Sequence, residues 1–428
     1  MVLSGHGTPT RRPSPAPPSP TGKYLAIGAA VVLVVVLIVV AVRMTTGGSS
    51  TTTPESPPAV SLYVDPAGSD SNDGSQGAPF QTIQAALEEA TPGTTINLAP
   101  GKYYEELATV RDGEPNAPIT IKGPETGKDR AGRYLATVYS ASRVVNIDNS
   151  YYTLEGFTVD GQENLANTPY PTDPSSIDAF KAGVQAQVSD SRLVYIGSAD
   201  DVRDVTGVTI RNMFLNGAGG ECVRLRNNAH GNTITDSVVQ YCGMYGKGES
   251  DEDRTEFHNG EGIYIGTSPK SDDQPMYEND ASSNNVITNN VIRTFGSECL
   301  NVKENAHDNL FEGNVCSDNV EATDFEGSNV ELRGFNNIVR GNVISASAGY
   351  GVKIQSDEDE YDRGGNAIEN NRIIDSAAEP LKIKTIATQG PICGNVMNAD
   401  PEELVETEDY VGDPTAPCPS GGVAPGPS

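Results

Sequence analysis

An asparagine that returns at intervals in the mid-twenties constrains this chain more than any other feature. The pattern, glycine or asparagine followed by asparagine and two apolar or variable positions, recurs as "NNVI", "GNVC", "GNVI", "NNRI" and "GNVM". Its second position falls on Asn290, Asn314, Asn342, Asn371 and Asn395, at steps of 24, 28, 29 and 24 residues. Looser copies, "ITDSVV" and "IRNMFL", carry it back toward residue 210, and "LEGFTV" at Leu154 continues it. Strands this short cannot bury an aliphatic face alone and must stack on their neighbours, as the coils of a parallel β-helix do. Asparagine suits the tight corners because it tolerates left-handed backbone and bonds locally. The repeat predicts an all-β solenoid over residues 60–399 and an irregular tail over residues 400–428.

A solenoid end exposes unpaired strand edges and needs a cover. The opening "SLYVDPAGSDSNDGSQGAPFQTIQAALEEATPGTTINLAPGKYYE" reads as strand, loop, helix and strand. The helix around Phe80 to Ala90 brings Ile83, Ala86, Leu87 and Ala90 onto one face, which makes it the N-terminal capping helix. This opening resembles the start of secreted pectate-lyase-like proteins. The resemblance implies a right-handed parallel β-helix.

Ahead of the solenoid, residues 1–23 form a Pro/Ser-rich tail with Arg11, Arg12 and Lys23 and no acid. The unbroken apolar run from Tyr24 to Val42 is long enough to nearly span a hydrocarbon core of about 30 Å. Residues 24–43 are thus expected to be a single transmembrane signal anchor, and residues 44–59 a flexible stalk. The positive-inside rule keeps the basic tail in the cytoplasm and puts the solenoid outside the cell. All six cysteines would then sit in an oxidising space. In two cases one cysteine opens a strand and the next lies about one coil later. The expected pairs are Cys222–Cys242, Cys299–Cys316 and Cys393–Cys418, the last pinning the tail.

A net charge of −29 argues against a nucleic-acid partner. It also repels an acidic polymer unless a local cationic stripe overrides it. Such a stripe is present. The strands "ECVRLR", "EGIYIG", "ECLNVK", "SNVELR", "YGVKIQ" and "EPLKIK" align with aliphatic third and fifth positions facing the core. The fourth position then reads Arg224, Tyr264, Asn301, Glu331, Lys353 and Lys382. The sixth reads Arg226, Gly266, Lys303, Arg333, Gln355 and Lys384. Both columns are expected to face solvent, with Gly266 leaving a gap beside Lys303. Like charges on neighbouring strands repel, so the stripe is either neutralised by Glu298, Glu304 and Glu331 or kept for an anionic ligand.

"NGEGIYIG", "GSECLNVKENAHDNLFEGN" and "VELRGFNNIVRGN" resemble three successive coils of the polysaccharide lyase family that contains alginate lyases and chondroitinase B. The resemblance implies that Lys303 is the base, Arg333 the acid, and Glu298 a calcium ligand. Glu261, at the same position one coil earlier, is the expected second ligand. Arg224, Arg226, Tyr264, Lys353, Lys382 and Lys384 would bind substrate. A lysine base needs its pKa lowered from about 10.4, and neighbouring Arg333 and Lys353 would do that. The chain departs from the family where Gly296 replaces a second acid, Gly334 a histidine and Tyr264 a basic residue. Acidic loops from Gly248, Ser268 and Ser356 either bind calcium or are simply solvated, and His230 and His258 read as loop or corner residues. No G-x-S-x-G, serine triad order or phosphate loop occurs.

The expected activity is β-elimination on an acidic, uronate-containing polysaccharide by a monomer. A non-catalytic surface β-helix and a uronate C5-epimerase are the alternatives.

Overall fold

Each asparagine repeat closes one coil of three short strands, as in Thr233–Thr235, Val238–Gln240 and Ile263–Ile265. The protein is seen here as a computed structural model. It describes residues 60–125, 127–129, 132–171, 173–198, 203–245, 260–268, 280–319, 327–356, 359–407, 410 and 412–419. The tail, anchor and stalk expected over residues 1–59 lie outside the described residues, as do most of the acidic loops from Gly248 and Ser268, and His258. Among the described residues no helix is long and apolar enough to cross a membrane.

Stacked coils build three parallel sheets, of 11, 10 and 10 strands among the described residues. The first runs from Val60–Val64 to Ile392–Cys393, the second from Gly101–Tyr104 to Val396–Met397, and the third from Leu107–Ala108 to Val405–Thr407. One inward column of the first sheet shows how the core is made. Leu154, Ile210, Ile234, Ile287, Phe311, Val339 and Ile368 pair rung on rung. None of the seven is more than 1% exposed. This column is the aliphatic face that one coil cannot bury alone.

The repeated asparagines hold the rungs together. The Asn290 backbone N–H and its Nδ2 both donate to Oδ1 of Asn314, at 2.9 and 3.0 Å. Nδ2 also donates to the Ile234 carbonyl at 2.9 Å. The arrangement repeats from Asn314 through Asn342 and Asn371 to Asn395. The ladder asparagine is buried, so it is not the left-handed residue expected at the corner. That conformation belongs to the residue before it: Asn289, Gly313, Gly341, Asn370 and Gly394, with φ between 54° and 67°. Only glycine and asparagine stand at these five positions because they enter this region at least cost. A second ladder, which the sequence reading missed, runs through Asn232, Asn285, Asn309, Asn337 and Asn366 at the corner entering the first sheet. Its signal is the other asparagine of "NNVITNN" and "DNLFEGN".

The capping helix spans Ile83–Glu89 and buries Ile83, Ala86 and Leu87, with Ala90 buried just beyond it. Its free N–H groups at Ile83 and Gln84 donate to the Glu105 carboxylate at 2.9 and 3.0 Å. At the other end the Arg111 guanidinium donates to the carbonyls of Leu87, Glu88 and Ala90. Both sets of orphan backbone groups are thereby satisfied by the first coil. All three expected disulfides are present: Cys222–Cys242, Cys299–Cys316 and Cys393–Cys418. The C-terminal boundary needs correction. Val405–Thr407 adds one more rung to the third sheet by pairing with Leu381–Ile383, because that edge would otherwise be left open.

Asn290→Ala should cost about 2–4 kcal/mol, since it strands buried donors and acceptors on two rungs. Asn289→Gly, at φ 56°, should leave stability nearly unchanged. Urea unfolding of both variants checks the division of labour.

Candidate active site

The third sheet carries the charged columns, and their alignment depends on register. Arg224, Tyr264, Asn301, Glu331, Lys353 and Lys382 pair one to the next, and Glu406 completes the row. Two residues on, the backbone N–H groups of Gly266, Lys303, Arg333, Gln355 and Lys384 each donate to the preceding rung, at 2.8–3.1 Å. Both columns are therefore placed as the aliphatic alternation requires, since a one-residue slip would turn the charges inward.

The face is not an exposed one. Lys303 and Arg226 are 6% exposed, Tyr264 7%, Lys353 8% and Lys382 3%. Only Lys384 stands out in solvent. Burial follows from how the charges fit one another. Arg333 pairs with Glu331 at 3.0 Å and Glu304 at 3.8 Å, Lys353 with Glu331 at 3.2 Å, and Lys382 with Glu406 at 3.1 Å. Glu221 takes Arg192 at 2.6 Å and Arg224 as its neighbours. Asn301 Nδ2 donates to Glu331 at 2.9 Å. Buried ion pairs of this kind need such extra bonds to offset desolvation.

Two details differ from expectation. Gly266 leaves no gap, because a Cβ there would lie 3.0 Å from Ala306 Cβ and 3.3 Å from Lys303 Cβ, at φ +87°. The glycine is required by the turn and by the tight approach. Tyr264 also contributes more than a substitute for a basic residue. Lys303, Arg226 and Arg224 lie 4.8, 5.3 and 5.6 Å from its ring centre. Three cations share one ring.

Glu221, Glu261 and Glu298 occupy the same position of successive coils, as their backbone bonds show: Cys222 N–H to Glu261 O at 2.9 Å and Gly262 N–H to Glu298 O at 2.8 Å. The protons of Glu221 and Glu261 are held very differently. Burial opposes charge on Glu221, but Arg224 and Arg192 outweigh it and bring its pKa below the usual value. Glu261, with no such partner, is pushed up to about 7 by burial and by Glu221, against the pull of Lys303. Glu331 is held down at about 2, because Arg333, Lys303 and Lys353 overcome its burial. For Lys303 burial works downward, yet Tyr264, Glu331 and Glu261 outweigh burial and Arg333, so its pKa is raised. A lysine base with a lowered pKa is not what this face builds.

Nor do the described residues assemble a calcium cage. Calcium takes six to eight oxygens. Glu261 keeps one buried oxygen without a hydrogen-bond partner and Glu298 accepts from Ser297, but no third carboxylate, histidine or cysteine joins them at ligand spacing among the described residues. The group that does reach that spacing, Glu369 with Cys393 and Cys418, has its sulfurs in a disulfide. His230 bonds the carbonyl of Asn228, as a corner residue does.

The family model described as "Protein of unknown function (DUF1565)" matches residues 66–401. The chain belongs to that family. Over 127 residues this DUF1565 protein is 31% identical to the uncharacterized protein YwoF of Bacillus subtilis (strain 168), covering 28% of this chain and 27% of YwoF. Over 69 residues it is 38% identical to pectate lyase PEL9 of Emericella nidulans, covering 16% and 17% of the two chains. It therefore meets both relatives over less than a third of their length. Among solved structures, the alginate lyase from Paenibacillus sp. str. FPU-7 superposes with a TM-score of 0.52 at 18% identity, over 76% of this chain and 96% of the lyase. Pectate lyase Pel9A gives 0.52 at 14% identity, over 82% and 80%. At these identities the likeness is one of fold: a pectate-lyase-like parallel β-helix.

The Glu261 carboxyl favours its proton in the folded chain, so its contribution to stability is present below about pH 4.5 and is lost as pH rises toward about 7. Glu261→Gln should raise the melting temperature at pH 8 by a few degrees and leave it unchanged at pH 4. Differential scanning calorimetry at the two pH values checks this.

Proposed function

We propose that the third-sheet face performs β-elimination on a uronate-containing polysaccharide. One observation carries the reading. Lys303, like Arg226 in the same column, is a buried cation with no ion-pair partner within 4.0 Å among the described residues, whereas Arg224, Arg333, Lys353 and Lys382 each have one. An ammonium taken out of water without its own anion is costly, and such groups collect at functional sites. A uronate carboxylate is the anion that would complete the pair.

In the elimination a proton leaves C5 of the uronate, its electron pair forms the C4–C5 double bond, and the C4–O bond breaks. The departing oxygen then takes a proton from water. The hard part is the dianion-like state that precedes departure, and fixed cations stabilise it most. Lys303 and Arg333 are placed to hold that charge, and the neighbours of Lys303 keep it cationic. The proton acceptor is Glu261, which keeps one buried oxygen without a hydrogen-bond partner, feels the charge of Lys303 and has a pKa near neutrality. This reverses the expected roles, in which Lys303 takes the proton and Arg333 returns one. Lys384, exposed at the end of the column, extends the cationic track for neighbouring sugars. No step passes through a metal.

Alginate, pectate and chondroitin or dermatan sulfate should be offered to the whole chain, with the absorbance of unsaturated uronate as readout. Lys303→Met should lower kcat by about 10²–10³-fold. The rate should rise with pH through about 7 and then level, because the working form of Glu261 is deprotonated. A rate still climbing above pH 10 would return the base role to Lys303. Inversion at C5 without chain cleavage would identify an epimerase, and binding without chemistry a non-catalytic surface protein. Lys303→Ala is a poorer probe than a surface lysine would be, since its loss leaves Glu331 and Glu261 less compensated.

The three disulfides support placing this domain in an oxidising space, outside the membrane. Protease applied to intact cells should release it. Full protection would place it inside.

A further inference from the structure

A second groove lies on a different sheet and has no part in the Lys303 face. It opens over the N-terminal rungs of the second sheet as a cavity of about 570 Å³. One wall is the inserted segment 161–191, tied down where Lys102 Nζ donates to the Ala166 carbonyl at 3.0 Å and to Asn167 Oδ1 at 2.7 Å. The floor is aromatic and cationic. Tyr134 and Tyr139 line it, Tyr104 stacks on Tyr139 at 5.5 Å, and Lys128 stands 4.3 Å over Tyr134. Arg133 lines it too, paired with Asp129 at 2.8 Å. Lys102, Lys128 and Arg133 gather here, with Asp129 and the buried Asp160 as the acids that act on Arg133, on a chain whose net charge is −29. A cationic groove in so acidic a protein concentrates anions locally.

Arg133 and Pro169 also line an adjoining cavity of about 110 Å³. There the Tyr170 hydroxyl is buried against the Asp160 carboxyl and the Asn216 amide. It and Asp160 Oδ1 lie 2.6 and 2.8 Å from where a Cβ of Gly217 would stand, so the glycine makes the room for both. Tyr241 and Phe295 hold left-handed backbone, at φ 55° and 51°, to set their rings 4.8 Å apart on its wall. Bulky residues in that conformation are strained and persist where the surroundings impose them.

We infer that this groove on the second sheet is a binding site for an acidic oligosaccharide, separate from the Lys303 face. The half-buried Tyr134 and the exposed Tyr104, which covers the buried Tyr139, offer ring surface to pyranose rings, and Lys102 and Arg133 meet uronate carboxylates. Charged donors to carboxylates supply the selectivity for an acidic over a neutral sugar.

Calorimetric titration of the whole chain with tetragalacturonate, and with neutral xylotetraose as control, tests this. Tyr134→Ala and Lys102→Ala should each weaken tetragalacturonate binding by about ten-fold, from the loss of a ring face or a charged donor. Xylotetraose should bind at least about ten-fold more weakly than the acidic tetramer. Lys303→Met should leave binding at this groove intact. Thermal melts confirm that the variants are folded. Binding lost in Lys303→Met but kept in both groove variants would overturn the site, while leaving the elimination reading in place. Equal binding of both tetramers would overturn the assignment of an acidic ligand, and no binding of either would overturn the proposal altogether.

Discussion

Amide to amide hydrogen bonding along the asparagine ladders is the constraint on which everything else depends. A parallel coil has no hairpin to fix how one rung sits on the next. Here the Oδ1 of each asparagine accepts two N–H groups from the rung before it, and its own Nδ2 reaches back to a buried carbonyl. The bond is directional, so it permits one register. Once the register is set, aliphatic columns face inward on every sheet and the charged columns of the third sheet fall into line. The left-handed residue before each ladder asparagine turns the chain sharply enough for the next strand to begin.

That alignment makes a buried charged face possible. Lys353 and Arg333 meet across Glu331 because their strands are neighbours with no offset. The same stacking puts Glu221 above Glu261, and the outcome for the two acids is opposite. Glu221 has Arg192 and Arg224 paired to it; Glu261 has burial and the like charge of Glu221 against it, which the weaker pull of Lys303 and Arg224 does not overcome. One geometric rule thus yields a carboxylate held ionised and another held near neutrality. Pairs of acids pushed apart in this way are how proteins obtain a proton acceptor that works near pH 7.

The insertions matter for where chemistry is sited. Segment 161–191, between a second-sheet and a third-sheet strand, packs its own small apolar cluster of Leu165, Ile177, Val184 and Val188 with Tyr241 and Phe295. It walls the groove on the second sheet and leaves the third-sheet row to its own ion pairs. Variation in coil length is tolerated at this corner because no asparagine ladder runs through it.

Much of this was legible in the sequence. The spacing of Asn290, Asn314, Asn342, Asn371 and Asn395, the amphipathic stretch ending at Ala90, the three disulfides and the composition of both charged columns follow from periodicity and spacing, which are local properties. The second ladder was also written there, in paired asparagines five residues apart, but the doubled motif reads as one corner until two are seen. What the sequence could not decide is how deep the charged face lies. Exposure, the upward shift of Lys303, the proton on Glu261 and the closed space at Gly266 all depend on which groups from neighbouring coils meet in three dimensions, across 28 residues of chain for Lys303 with Glu331 and 40 for Glu221 with Glu261. Periodicity says which way a side chain points. Only the packed structure sets its dielectric surroundings and its partners, and those decide its charge.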